Sequence, residues 1–341
     1  MCFFYNIISG GFMIKDIILK LKNKILNGHD ITIEEAKKLM EVSIDNKEEM
    51  DILCQSANEI RERFCGNNFD LCTIMNAKSG KCSENCKYCA QSSHFKTNAE
   101  VYDLISSCEA IEEAKKVEAE GAHRFSLVTS GRGLKQGDKD LQKLCDIYKD
   151  LKNSTNISLC ASHGICDEFA LKELYDSGVS SYHHNLETSR KFYPNICTTH
   201  SYDDRINTIK KAQKVGLNVC SGGIWGLGET LEDRIEMAFD LQNLNIKSVP
   251  LNILMPIEGT PLGHMQPLNP KEILRTIAIY RFILPKAYLR YAGGRINLKE
   301  LQEKGIQSGI NSALTGNFLT TTGTTIESDK EMIRRNGYEI K

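Results

Sequence analysis

Residues 69–76 read Phe69-Asp70-Leu71-Cys72-Thr73-Ile74-Met75-Asn76, and a short turn later residues 82–89 read Cys82-Ser83-Glu84-Asn85-Cys86-Lys87-Tyr88-Cys89. The first stretch has the β-rich composition of a strand, and the second is a polar loop carrying three cysteines. Runs of the first kind recur at 123–129, 156–161, 179–186, 217–224, 247–255, 287–292 and 309–314, separated by amphipathic helical stretches. Eight strand-plus-helix units with no long linker predict a closed (β/α)8 TIM-type barrel rather than an open doubly wound sheet. Such a barrel takes about 250 residues, which the 341-residue chain accommodates as one unit. Before it, residues 14–66 are charged and helical; Thr32 with Glu35 forms a capping box that opens a helix running to Met40. The division is therefore 1–66, an N-terminal tail and helical cap; 67–325, the barrel; and 326–341, a C-terminal tail. The apolar stretch 1–13 reads as an upstream start or a frayed tail, with Met13 as the start, and is too short to span a bilayer.

In barrels of this class the reactive groups sit where strands end and the following loops begin, so the 82–89 loop lies on the catalytic face. Its spacing is C-x3-C-x2-C. A four-iron cluster normally takes four thiolates, and three leave one iron open to a small molecule. Structural zinc sites pair two separated C-x2-C units, and no second unit is present. Thirteen cysteines in 341 residues are sparse for a disulfide framework, and the count is odd. The 43 Lys+Arg against 44 Asp+Glu supply no bulk attraction for nucleic acid or anionic lipid. No segment is long and apolar enough to cross a membrane, and reduced thiols suit a cytoplasmic location.

Three other cysteines fall in the β-rich runs: Cys72 in the first, Cys160 in the third and Cys220 in the fifth, with Arg290 in the seventh. Alternate strands of a (β/α)8 barrel share interior layers, so inward-pointing side chains at these positions meet. A buried arginine without partners is heavily penalised, and a second metal-sulfur cluster held by the three thiols would supply partners. Cys2, Cys54, Cys108, Cys145, Cys166 and Cys197 are scattered and take no role, while Cys65 lies close enough to the first run to stay in consideration.

The C-x3-C-x2-C loop has the spacing of the radical SAM superfamily. Within that superfamily the sequence resembles the biotin synthase family. The matching stretches are Cys82 to Ser93, Tyr182-His183-His184-Asn185-Leu186-Glu187-Thr188, Val219-Cys220-Ser221-Gly222-Gly223-Ile224, Gly226-Leu227-Gly228-Glu229-Thr230, Val249-Pro250-Leu251-Asn252, Gly259-Thr260-Pro261-Leu262 and Arg290-Tyr291-Ala292-Gly293-Gly294-Arg295. They extend over residues 65–325, nearly the whole barrel. The resemblance implies sulfur insertion into dethiobiotin to give biotin, the last step of biotin synthesis, using deoxyadenosyl radicals. It implies a 4Fe-4S cluster on Cys82, Cys86 and Cys89 that binds and cleaves S-adenosylmethionine, and an auxiliary iron-sulfur cluster as sulfur donor. It places Asn185 and Glu187 on the ribose of S-adenosylmethionine, Tyr88 near its adenine, Asn185 also on substrate, and Asn252 on the ureido ring. A homodimer and an electron donor such as flavodoxin or ferredoxin are further implications.

Two positions depart from the family pattern. Arg124-Phe125 is followed by Ser126 where familiar members have a cysteine that ligates a 2Fe-2S donor cluster. Cys72 stands at a position resembling a serine beside that cluster, so the expected ligand set is Cys72, Cys160 and Cys220 with Arg290, around a 2Fe-2S or larger centre. His183 replaces an asparagine, and either adjusts substrate contacts or faces away. His184 is expected to be a satisfied hydrogen-bonding group. Lipoyl synthases carry an additional N-terminal cysteine triplet absent here. A related radical maturase or lyase, and a non-catalytic iron-sulfur carrier, are the alternative readings.

Overall fold

The computed structural model describes residues 9–316 and 324–340; part of the expected N-terminal tail, residues 1–8, lies outside them. Ten strands run in chain order: β1 (Asn68–Lys78), β2 (Arg124–Thr129), β3 (Ser158–Ser162), β4 (Ser181–His183), β5 (Asn218–Cys220), β6 (Gly223–Trp225), β7 (Ser248–Ile253), β8 (Tyr288–Tyr291), β9 (Ser312–Leu314) and β10 (Glu339–Ile340). All pair in parallel, and β1 pairs with both β2 and β9, so the sheet closes on itself. The fifth barrel strand is split into β5 and β6 at Ser221-Gly222. Gly222 permits this close approach, since a Cβ there would fall 2.0 Å from the Pro250 carbonyl oxygen. The eight expected β-rich runs each overlap a barrel strand, and the barrel is the expected one.

The helices that return the chain are α4 (Ser107–Ala119), α5 (Lys139–Ser154), α6 (Glu168–Asp176), α7 (Tyr202–Lys214), α8 (Leu231–Asn243) and α9 (Pro270–Ile283), after α1 (Ser9–Leu26), α2 (Ile33–Lys38) and α3 (Lys47–Cys65). Sequence explains where several start. Ser106, Ser201 and Thr230 each close a capping box with an acid three residues on, satisfying otherwise orphaned backbone N–H groups. Thr32 and Glu35 form the expected box at α2, which continues as a 3₁₀ turn through Glu41. The N-terminal helices pack on one another and along α8 and α9, on the barrel's flank.

The expected C-terminal tail is folded. After α10 (Gln302–Ile306), α11 (Ile326–Arg335) buries Ile326, Met332 and Ile333, and β10 extends the sheet beside Asn68 and Phe69. Asp329 pairs with the buried Arg295, and Tyr338 meets Phe69 edge-on at 5.5 Å between ring centroids. These contacts close the side of the barrel next to β1, the strand that positions the cysteine loop. Among the described residues no helix is long and apolar enough to cross a membrane.

Candidate functional site

The loop after β1 is built to fix three sulfurs. Gly80 turns the chain with φ 76°, and a Cβ there would meet Val101 at 2.6 Å. The loop then closes on itself: the Cys82 N–H donates to the Gln91 carbonyl (3.0 Å), the Ser93 N–H to the Cys82 carbonyl (2.8 Å) and the Cys89 N–H to the Cys86 carbonyl (3.0 Å). Its outer side is pinned to residues 196–200. The Asn85 Oδ1 accepts from the N–H groups of Thr198 (2.9 Å) and Thr199 (3.2 Å), its Nδ2 donates to Thr198 Oγ1 (2.6 Å), and the Lys87 N–H donates to the Ile196 carbonyl (2.9 Å). Polar residues between the cysteines therefore position them, and the three cysteines line one cavity of about 320 Å³ at the strands' C-terminal ends.

Beneath this loop lies a buried polar chain that the sequence did not reveal. Glu84 Oε2 lies 2.5 Å from His200 Nδ1, and Arg205 Nη2 donates to His200 Nε2 (3.1 Å). Arg205 also donates to Tyr193 Oη (2.6 Å) and the Asn185 carbonyl (2.8 Å), and stands 3.5 Å from the Glu187 carboxylate. Cys197, expected to be without a role, sits in this chain with its Sγ 3.7 Å from Cys86 Sγ and 3.4 Å from His200 Nδ1. Only the folded arrangement could have revealed it, because 111 residues separate it from Cys86.

Tyr88, Asn185, Glu187 and Asn252 are brought together: all four line the upper cavity and an adjoining one of about 270 Å³. Glu187 adopts φ 72° at the end of β4, where its N–H donates to Gly222 and its carbonyl accepts from Ile224. Burial pushes its carboxyl pKa up, with the nearby Arg205, Tyr88 and Asn185 side chains working against the rise. Its Oε2 is buried without a partner among the described residues, an acceptor left over for a ligand. Asn185 Oδ1 accepts from the Gly222 N–H (3.1 Å). Asn252 bridges two strands, Nδ2 donating to the Gly223 carbonyl (3.1 Å) and Oδ1 accepting from the Gly293 N–H (3.0 Å). Each amide retains an unused donor or lone pair.

Cys72, Cys160, Cys220 and Arg290 also converge. The Cys72 and Cys160 thiols lie close enough to shift one another in opposite directions, Cys72 up and Cys160 down, and the Cys220 thiol is pushed up by burial while Arg290 opposes that rise. Arg290, however, is not the unpartnered cation that the sequence argument required. Its Nη2 lies 2.5 Å from Asp70 Oδ2, and Nη1 donates to the Ala313 carbonyl at 3.2 Å. Burial opposes its charge, yet Asp70 and the neighbouring thiols more than offset this and its pKa is raised. Asp70 supplies the counter-charge, so the argument for a cluster from Arg290 alone fails. What fits a sulfur-rich group is the donor set: three buried thiols, the buried Nε of Arg290 and the fully buried Ser126 Oγ, the last two without partners. Ser126 lies beside Cys160 in register, so the serine occupies the inner face but offers no thiolate.

His183 lines the interior and so does not face away; burial lowers its pKa. His184 differs from expectation, since its buried Nε2 has no partner, and burial keeps it neutral. Cys65 is excluded from the interior set: its thiol faces the Pro285 carbonyl and Arg281 at 3.5 Å, between α3 and α9. The described cysteines are all free thiols.

Comparison with known proteins identifies the family. Residues 77–241 match the radical SAM superfamily and residues 250–339 the biotin and thiamin synthesis associated domain. The chain is 63% identical over 329 residues to the biotin synthase of Fusobacterium nucleatum subsp. nucleatum, covering 96% of this chain and 91% of that protein. It is 56% identical to the biotin synthase of Campylobacter hominis (94% and 97% covered) and 53% identical to that of Clostridioides difficile (95% and 99%). Among solved structures, methylornithine synthase superposes with a TM-score of 0.80 at 21% identity, covering 94% of this chain and 97% of that one. The FeFe-hydrogenase maturase of Carboxydothermus hydrogenoformans superposes at 0.78 with 18% identity, covering 95% and 79%. At those identities the two structures establish the fold alone.

Proposed function

The chain belongs to the biotin synthase family, radical SAM enzymes that insert sulfur into dethiobiotin to form biotin, and from that premise we propose which residues do the work. Cys82, Cys86 and Cys89 hold the 4Fe-4S cluster, and Cys72, Cys160 and Cys220 hold the auxiliary sulfur-donor centre with Arg290 beside it. The observation that carries this reading is a single cavity lined by the three loop cysteines at one end and by Cys220 and Arg290 at the other, with Asn185, Glu187 and Asn252 between them. When bound, the first cluster supplies the electron that releases a deoxyadenosyl radical from S-adenosylmethionine.

The protein's part is placement. Glu187, with its spare oxygen, and Asn185 orient the ribose hydroxyls, and Tyr88 lies against the adenine. Asn252, locked by Gly223 and Gly293, holds the ureido ring through its remaining donor and lone pair. Such fixed groups in a largely apolar cavity convert binding into alignment of a reacting carbon with the radical source. No residue is needed as a proton acceptor for hydrogen-atom abstraction, consistent with neutral His183 and His184.

The auxiliary ligand set carries Cys72 in place of the thiolate lost at Ser126, which leaves a three-cysteine site suited to a 2Fe-2S or larger centre. The enzyme works as a cytoplasmic homodimer supplied with electrons by a flavodoxin or ferredoxin. Anaerobic single turnover with dithionite, S-adenosylmethionine and dethiobiotin tests the activity by mass spectrometry for biotin. Deoxyadenosine without biotin would redirect the reading to a different substrate. Iron and sulfide counts with Mössbauer spectra of Cys72→Ala test the ligand set; an unchanged auxiliary signal eliminates Cys72.

A further inference from the structure

A second cavity, of about 740 Å³, opens at the strands' N-terminal ends, opposite the cysteine loop. Cys72 and Cys160 line it, and it shares His183, Cys220 and Arg290 with the upper cavity. The inner thiols thus stand between two cavities, one bearing the S-adenosylmethionine site and the other reaching the outside past Asn218, Lys210 and Lys247. The lower cavity is lined by four cationic side chains, Arg124, Lys210, Lys247 and Arg290, against one carboxylate, Asp70. Asp70 is already committed to Arg124 and Arg290. Lys210 and Lys247 are exposed and have no ion-pair partner among the described residues. At the inner end, Arg290 is 4% exposed and its Nε is unpartnered.

We propose that this lower cavity is the passage by which hydrosulfide reaches the inner thiols, entering from the end of the barrel away from the radical chemistry. The proposal rests on the reading that Cys72, Cys160 and Cys220 hold the sulfur donor. Each product molecule carries one sulfur away, so the donor must be refilled. When S-adenosylmethionine and dethiobiotin occupy the upper cavity, the lower one is the other way in to the inner thiols. The lower one is wide enough for an ion scarcely larger than water, and its surplus of positive charge within low-dielectric walls concentrates small anions and accelerates their entry. Refilling balances without a redox partner: the entering hydrosulfide gives up its proton to water and takes the vacated position as sulfide, with no electron transferred; in the resting enzyme the same entry is an exchange, in which a sulfide leaves as hydrosulfide with the proton that the incoming one releases.

The test uses the cluster-loaded holoenzyme with S-adenosylmethionine and dethiobiotin bound and no reductant. Heavy-isotope hydrosulfide is added, and its uptake is followed by mass spectrometry of acid-labile sulfide and then of the biotin released in one turnover. Charge reversal at the mouth, Lys210→Glu with Lys247→Glu, is expected to slow uptake about tenfold or more at low salt, with the deficit closing as salt screens the field. Asn218→Trp, which fills the mouth, is expected to slow it at every salt concentration. First-turnover biotin yield from preloaded enzyme stays at the wild-type level in both. No uptake by the wild type, or wild-type uptake rates in both variants, overturns the passage. Failure of the underlying ligand reading shows differently, as an unchanged auxiliary Mössbauer signal in Cys72→Ala and Cys160→Ala.

Discussion

Replacing Asp70 by asparagine isolates the electrostatic support of the inner layer. Asp70 is 8% exposed and its two oxygens serve two guanidinium groups: Arg290 Nη2 at 2.5 Å and Arg124 Nε at 3.2 Å. Arg124 is about one-third exposed, but the Arg290 side chain is only 5% exposed, and arginine cannot shed its proton. The Asp70→Asn change would preserve the shape, remove the charge and turn an amide donor towards a donor. Breaking a buried pair in this way costs about 3–5 kcal/mol, chiefly because the remaining charge stays buried. For a chain of 341 residues, an unfolding entropy of about 2.1 cal/mol/K per residue gives roughly 0.7 kcal/mol/K. The expected fall in melting temperature is then about 4–7 °C. Calorimetry on the cluster-free protein under anaerobic, reducing conditions measures it. Adding Arg290→Met removes the stranded charge and should recover more than half the loss, since such pairs replaced by apolar groups are often neutral. A melting point for Asp70→Asn within about 1 °C of the parent, well short of the expected fall, would refute the reasoning.

Other perturbations bear on the site itself. Glu187→Gln, which removes the charge but not the shape of a carboxylate with a spare buried oxygen, should weaken S-adenosylmethionine binding about tenfold to a hundredfold, the scale of a lost charged hydrogen bond; equilibrium dialysis on the reconstituted enzyme reads it, and unchanged affinity would remove Glu187 from the ribose site. Cys197→Ala removes the sulfur that accepts from the Cys86 thiol at 3.7 Å in the cluster-free protein; once Cys86 is a thiolate ligand only Cys197 can donate between the two, and losing that hydrogen bond to a cluster sulfur should make the first cluster harder to reduce, a tenfold change in its reduced fraction corresponding to about 59 mV in a potentiometric titration. Asp233 is held below the ordinary carboxyl pKa: burial alone would raise it, but hydrogen bonds from Ser189 and Thr230 prevail. Its stabilisation is therefore complete above the unfolded value of about 3.9 and is lost as pH falls through the lower folded value, so urea midpoints of Asp233→Asn should approach those of the parent on acidification from neutral pH.

The sequence by itself determined the barrel and the cysteine loop. Both are written locally: strands and helices alternate in residue type and period, and three cysteines lie within eight residues, Cys82 to Cys89, so no long-range information is needed to bring them together. The meeting of Cys72, Cys160, Cys220 and Arg290 was legible one step further, because a closed parallel sheet directs alternate strands to a common interior. Tertiary structure decided what depends on neighbours remote in sequence. Asp70 neutralises Arg290 across 220 residues, and Cys197 and His200 meet the cysteine loop across more than a hundred. Residues 326–340 fold onto β1 because their apolar side chains find a partner face only once the barrel exists. The lower cavity is likewise invisible in the chain, since its positive charge comes from two strands, a helix and a loop that share no motif and become one surface only when the strands close.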